Sequence, residues 1–133
     1  MGEDDFPVHV LLVEDEVFIS DMVSDLLTCH GFDVRAVTNA EDALVHLRSG
    51  APCDLLFTDI NLAGPTDGAM LALAARRLRP ELAVVYTSGT VAGSDLHAVP
   101  GSAFLPKPYN PDTLCAFLRD RATKARTPLR ASA

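Results

Sequence analysis

VHVLLVED, residues 8–15, is a short β-branched and aliphatic run that stops on two carboxylates, Glu14 and Asp15. Three further runs share the plan: DLLFT (54–58) stops at Asp59, LAVVY (82–86) at the hydroxyls of Thr87 and Ser88, and SAFLP (102–106) at Lys107. If these runs are parallel strands, all of the end groups meet at one edge of one sheet. Three carboxylates, a hydroxyl and an ammonium in one cleft suit a divalent cation and a phosphoryl group.

The segments between the runs have a helical period. Ile19, Met22, Val23, Leu26 and Leu27 recur at helical spacing after Val8–Val13, and Gly31 is a natural residue to follow a helix end. Phe32, Val34 and Ala36 then alternate over 32–37 as a strand does, and Asn39 caps a helix with apolar positions at Ala43, Leu44 and Leu47 that stops at Gly50. The unit repeats, with a strand over 53–58, a helix over 68–78 with Pro80 just beyond it, a strand over 82–86 and a short strand over 103–105. Asn110 and Pro111 form a cap and first-turn pair for a last helix that buries Leu114, Phe117 and Leu118. From Arg121 onward the sequence is basic and aperiodic, so the domain is expected over 6–122 with a disordered tail over 123–133.

Strands alternating with helices in short units imply a parallel sheet with helices on both faces, because right-handed crossovers place them there. Five such units fit the flavodoxin-like, doubly wound order 2-1-3-4-5, whose site lies at the carboxyl ends of the strands. The stretch SGTVAGSDLHAVPG (88–101) breaks the pattern: its glycines and Pro100 leave apolar spacing only over 96–99, so at most one or two turns of a fourth helix and a mobile segment are expected.

Composition bounds the rest. One domain fits in 133 residues. A net charge of −7 and a pI near 4.8 argue against direct binding to nucleic acid, which is met by Lys and Arg, and favour a metal or a basic protein as partner. No stretch reaches the roughly 20 apolar residues of a membrane span and the N-terminus is acidic, so a cytoplasmic protein without membrane insertion is expected. Cys29, Cys53 and Cys115 sit in apolar periodic segments and are read as small hydrophobes. His9, His30, His46 and His97 lack metal spacing and are read as structural or surface residues.

From about Val8 to Arg121 the chain resembles the receiver domain of bacterial two-component response regulators: an acidic pair after strand 1, Asp after strand 3, Thr after strand 4, Lys-Pro after strand 5. The resemblance implies Asp59 as phosphoacceptor, a Mg²⁺ site of Glu14, Asp15, Asp59 and the backbone carbonyl of Asn61, and phosphate contacts from Thr87 and Lys107. It also implies a cis Lys107-Pro108 bond and a switch involving Thr87 and the strand 5 aromatic Phe104, with Tyr109 on a surface that partners read. The chemistry agrees with the residue types. A carboxylate can attack phosphorus once the charge between two anions is neutralised, and Lys107 would pair with Asp59 at rest and with a phosphoryl oxygen afterwards.

Asp67-Gly68 is read as a turn; the simpler readings of the rest are a solvated helix start at Glu14-Asp15-Glu16, a loop of turn formers at Asp59, Asn61 and Gly64, an exposed Lys107 and a loop start at Thr87 and Ser88. The five signals in the right order at the right strand ends outweigh them. The expected function is a stand-alone receiver, a switch and not a turnover enzyme. It would take phosphate from a sensor histidine kinase or histidine phosphotransfer protein and act on an unknown downstream protein by relay, as a phosphate sink or by binding. A phosphohydrolase with Asp59 as nucleophile and a degenerate, unphosphorylated interaction module are the alternatives. Glu14 in place of Asp and the loop INLAGPTDG depart from the commonest receiver pattern and mark a less common subgroup.

Overall fold

Each apolar run becomes a strand and each periodic stretch a helix in the computed structural model, which describes residues 7–89 and 98–126. In chain order the elements are β1 (His9–Val13), α1 (Val17–Cys29), β2 (Asp33–Val37), α2 (Ala40–Arg48), β3 (Leu55–Asp59), α3 (Gly68–Leu78), β4 (Ala83–Ser88), β5 (Ala103–Pro106) and α4 (Pro111–Arg126). The strands are all parallel, in the order β2-β1-β3-β4-β5. This is the flavodoxin-like topology that the alternation predicts.

The pleat sends alternate side chains to opposite faces, and the helices divide between them. Leu11, Val13, Leu56, Val84 and Tyr86 pack against Ala43 and Leu47 of α2 and Leu71, Ala72 and Ala75 of α3. Val10, Leu12, Leu55, Phe57 and Val85 pack against Val23 and Leu27 of α1 and Leu114, Leu118 and Ala122 of α4. Double-sided cover explains why β3 is buried throughout while the edge strand β2 is half exposed. Among the described residues no helix is long and apolar enough to cross a membrane.

Caps act where the sequence places them. Asn39 accepts the Asp42 amide at 2.7 Å, and Asn110 accepts those of Asp112 and Thr113 at 2.8 and 3.2 Å. Gly31, at φ +89, turns the chain after α1.

Several expectations change. The last helix does not lose its register at Arg121: α4 runs to Arg126, because Ala122 is buried and Ala125 packs on the same face, so the helical domain extends past residue 122 into the expected tail. β4 continues through Thr87 and Ser88, which pair with Leu105 and Pro106 of β5, so they are strand residues and not a loop start. Met22 and Cys29 face solvent on α1, while Val23 and Leu27 hold its buried stripe. Residues 90–97, where one or two turns and a mobile segment were expected, lie outside the described ones, as do His97 and residues 127–133. Past them Val99 is buried, and its N–H donates to the Tyr86 hydroxyl at 3.1 Å.

Candidate functional site

Parallel strands in register bring their carboxyl ends level, and here the end of β3 is Asp59, paired with Thr87 of β4. Glu14 and Asp15 follow β1 next door, and Lys107 follows β5. The ligand oxygens of Glu14, Asp15 and Asp59 lie within 4.8 Å of one another. Glu14 is 2% exposed and Asp59 7%, so this is a carboxylate cluster drawn largely out of water and not a solvated helix start.

Such a cluster needs cationic compensation. Lys107 supplies it: Nζ donates to Glu14 Oε1 at 2.8 Å and to Asp59 Oδ2 at 2.9 Å. Burial alone would lower the lysine pKa, but the two hydrogen bonds and the charges of Asp59 and Glu14 outweigh it and hold the ammonium well above the ordinary lysine range. The backbone at Lys107 is fixed as well, its N–H donating to Ser88 O at 2.9 Å and its bond to Pro108 being cis.

Other carboxylate oxygens hold the loops that follow β1 and β3. Asp59 Oδ1 accepts the Asn61 N–H and Asp15 Oδ2 accepts the Ala63 N–H, both at 3.0 Å, while Glu14 Oε2 accepts the Glu16 N–H at 3.1 Å. The Asn61 carboxamide donates to Ser88 Oγ at 3.0 Å. Thr87 is 3% exposed, and among the described residues its Oγ1 has no hydrogen-bond partner. A buried hydroxyl left so costs about 1–3 kcal/mol, and Thr87 stands beside Asp59 on the neighbouring strand.

Phe104 is half-buried and packs against the core layer formed with α2 and α3. Tyr109 is half-buried on the other face, its ring 5.9 Å from that of Phe57. Burial raises its phenol pKa, Lys107 opposes, and Glu14 and Asp59 add to the rise. A cleft of about 340 Å³ beside Cys53, Asp54 and Arg79 opens at the other end of the strands, away from the cluster.

The structure therefore brings Glu14, Asp15, Asp59, Asn61, Thr87 and Lys107 together. Three features escaped the sequence. Lys107 bonds Glu14 as well as Asp59. Ser88, noted only as the second of two hydroxyls, braces Asn61. Gly68, read as half of a turn, lets the start of α3 press against the backbone of Asp59: a Cβ there would sit 2.1 Å from Asp59 O and 2.8 Å from Ile60 Cα. The signal for Gly68 was present in the Asp-Gly dipeptide, since Asp67 caps α3 by accepting the Met70 N–H at 2.9 Å.

Comparison with known proteins points to one family. The response regulator receiver domain matches residues 10–119. The nitrogen assimilation regulatory protein NtrX of Azorhizobium caulinodans is 35% identical over 109 residues, covering 79% of this chain and 24% of that protein. The regulatory protein VirG of Agrobacterium tumefaciens is 31% identical over 120 residues, covering 84% and 42%. The chain thus spans less than half the length of these curated relatives. The crystal structure of a response regulator receiver protein from Sinorhizobium medicae superposes with a TM-score of 0.83 at 33% identity, over 90% of this chain and 97% of that one. With the sheet order, the carboxylate cluster and the match across most of its length, the chain belongs to the response regulator receiver domain family of two-component signal transduction.

Proposed function

We propose that Asp59 accepts a phosphoryl group from a phosphohistidine donor in a Mg²⁺-dependent step, and that the phosphorylated domain changes its affinity for a protein partner. The observation that carries this reading is Lys107 Nζ shared between Glu14 and Asp59 with Asp15 alongside, next to the hydroxyl of Thr87, which has no partner among the described residues. The donor set is all oxygen, which suits a hard divalent cation. Asp15, Asp59 and the Asn61 carbonyl would hold Mg²⁺ directly and Glu14 through water. Bound there, Mg²⁺ supplies charge neutralisation between the attacking carboxylate and the incoming phosphoryl oxygens.

The chain's own groups supply positioning. An oxygen of the Asp59 carboxylate forms a bond to phosphorus as the bond from phosphorus to the donor nitrogen breaks, and that electron pair leaves with the imidazole. Lys107 moves from Asp59 Oδ2 to a phosphoryl oxygen, and Thr87 Oγ1 donates to another. Little else is required of phosphoryl transfer, whose catalysis is mostly geometry and electrostatics. A sensor histidine kinase or a histidine phosphotransfer protein would be the donor, in the cytoplasm. Thr87, Phe104 and Tyr109 would carry the change outward, Phe104 through the core layer and Tyr109 at the surface.

Incubation with acetyl phosphate and Mg²⁺ tests the reading by intact mass. One phosphoryl group is expected on the wild type and none on Asp59→Asn, with no sustained hydrolysis of a general phosphate ester. Equal labelling of the variant would sink the assignment, and steady turnover of the ester would favour a phosphohydrolase.

A further inference from the structure

Ser88, the last residue of β4, is 1% exposed and is used on two sides of the cluster. Its carbonyl accepts the Lys107 N–H at 2.9 Å, and its Oγ accepts the Asn61 carboxamide at 3.0 Å. Lys107 and Asn61 in turn address the two oxygens of Asp59, the first at Oδ2 and the second at Oδ1. A buried hydroxyl at the end of a sheet strand thus steadies an exposed loop residue that touches the acceptor.

We infer that Ser88 is a positioning residue for the cation site, its hydroxyl holding the loop over 60–63 in the binding-competent arrangement through the Asn61 side chain. This rests on the reading of Asp15, Asp59 and Asn61 as the cation site. Two of the loop's ties, Asn61 N–H to Asp59 and Ala63 N–H to Asp15, end on carboxylates that a cation also claims. A carboxylate sharing its lone pairs with a divalent cation accepts an N–H less strongly, so both ties weaken when the cation arrives. The tie to Ser88 ends on a neutral hydroxyl fixed to β4, which does not compete with the cation. It keeps Asn61 in place when the other two slacken, as outer partners orient metal ligands generally.

Ser88→Ala deletes the hydroxyl and leaves the carbonyl that fixes Lys107, so the two roles separate. Calorimetric titration of the full chain with Mg²⁺ should show binding weakened about tenfold, the low end for loss of an outer partner, with the melting temperature in EDTA little changed. Asn61→Ala keeps the backbone carbonyl, alters an exposed side chain and should weaken Mg²⁺ to the same extent. The double variant should lose less than the sum of the two single losses, since both remove the Asn61–Ser88 contact. Unchanged affinity in Ser88→Ala, or losses that add in the double variant, would overturn the role of Ser88. Wild-type protein that binds no Mg²⁺, or Asp15→Asn that binds it as well as wild type, would instead overturn the cation site itself and the inference with it.

Discussion

Lys107 places one ammonium between two buried carboxylates, and its removal exposes what that arrangement costs. Lys107→Met would leave Glu14 and Asp59 facing each other without a cation, and breaking a buried ionic set is worth about 3–5 kcal/mol. The lysine keeps 18% of its side chain in water, so about 3 kcal/mol is expected, read by urea unfolding at neutral pH. Added Mg²⁺ should recover part of the loss. The pH dependence has a definite sign. Because the folded lysine pKa is raised, its contribution is fully present below the ordinary value of about 10.4 and is lost as pH climbs toward the elevated one. The raised phenol of Tyr109 acts in the same direction from about pH 10. Wild-type unfolding midpoints should therefore fall between about pH 10 and 11, and less steeply in Lys107→Met. A midpoint that holds across that range would contradict the pairing.

At the level of elements, α3 is seated by an absence. Gly68 stands where a Cβ would collide with the carbonyl of Asp59, a backbone atom that cannot swing away. Gly68→Ala should cost about 3 kcal/mol, the upper end of ordinary overpacking, and slow phosphoryl uptake because relief displaces the acceptor strand. Full stability and full labelling rate in that variant would mean that the helix start has slack. The same comparison shows what the sequence made legible. Strand identities followed from the apolar runs and their order from the alternation of strands with helices, and α2 and α3 from Asn39, Gly50 and Pro80 at their borders. Residue types and strand ends sufficed to gather Glu14, Asp15, Asp59, Thr87 and Lys107 in one place. They did not say which carboxylates share the ammonium, because that depends on side-chain reach across β1, β3 and β5. They also hid the end of α4, whose last inward-facing positions, the buried Ala122 and the half-buried Ala125, are too small to stand out as an apolar stripe. Gly68 was visible as a flexible residue but not as a close approach, since that contact joins two elements.

For the molecule as a whole, the cluster draws on the ends of β1, β3, β4 and β5, so a cation bound there recognises only the assembled sheet. If the proposed site holds Mg²⁺, linkage would make the ion a folding ligand, worth about 2.7 kcal/mol at a concentration one hundred times its dissociation constant. Thermal unfolding should shift upward with Mg²⁺ in the wild type and stay put in Asp15→Asn; an equal shift in both would place the ion elsewhere. The two helical layers meet that demand with independent ties, such as Arg79, which donates to Leu47 O at 2.9 Å and Ala51 O at 2.8 Å and so fastens the end of α3 to that of α2. The two tyrosines are distributed with equal clarity, and the chain has no tryptophan. Tyr86 is sealed in one layer with its hydroxyl on the Val99 amide, while Tyr109 lies against Phe57 within reach of the charges of Lys107, Glu14 and Asp59. With no tryptophan to mask them, ultraviolet emission from the unlabelled protein comes from these two phenols, and subtracting the signal of Tyr109→Phe isolates the one that lies near the charges of Lys107, Glu14 and Asp59.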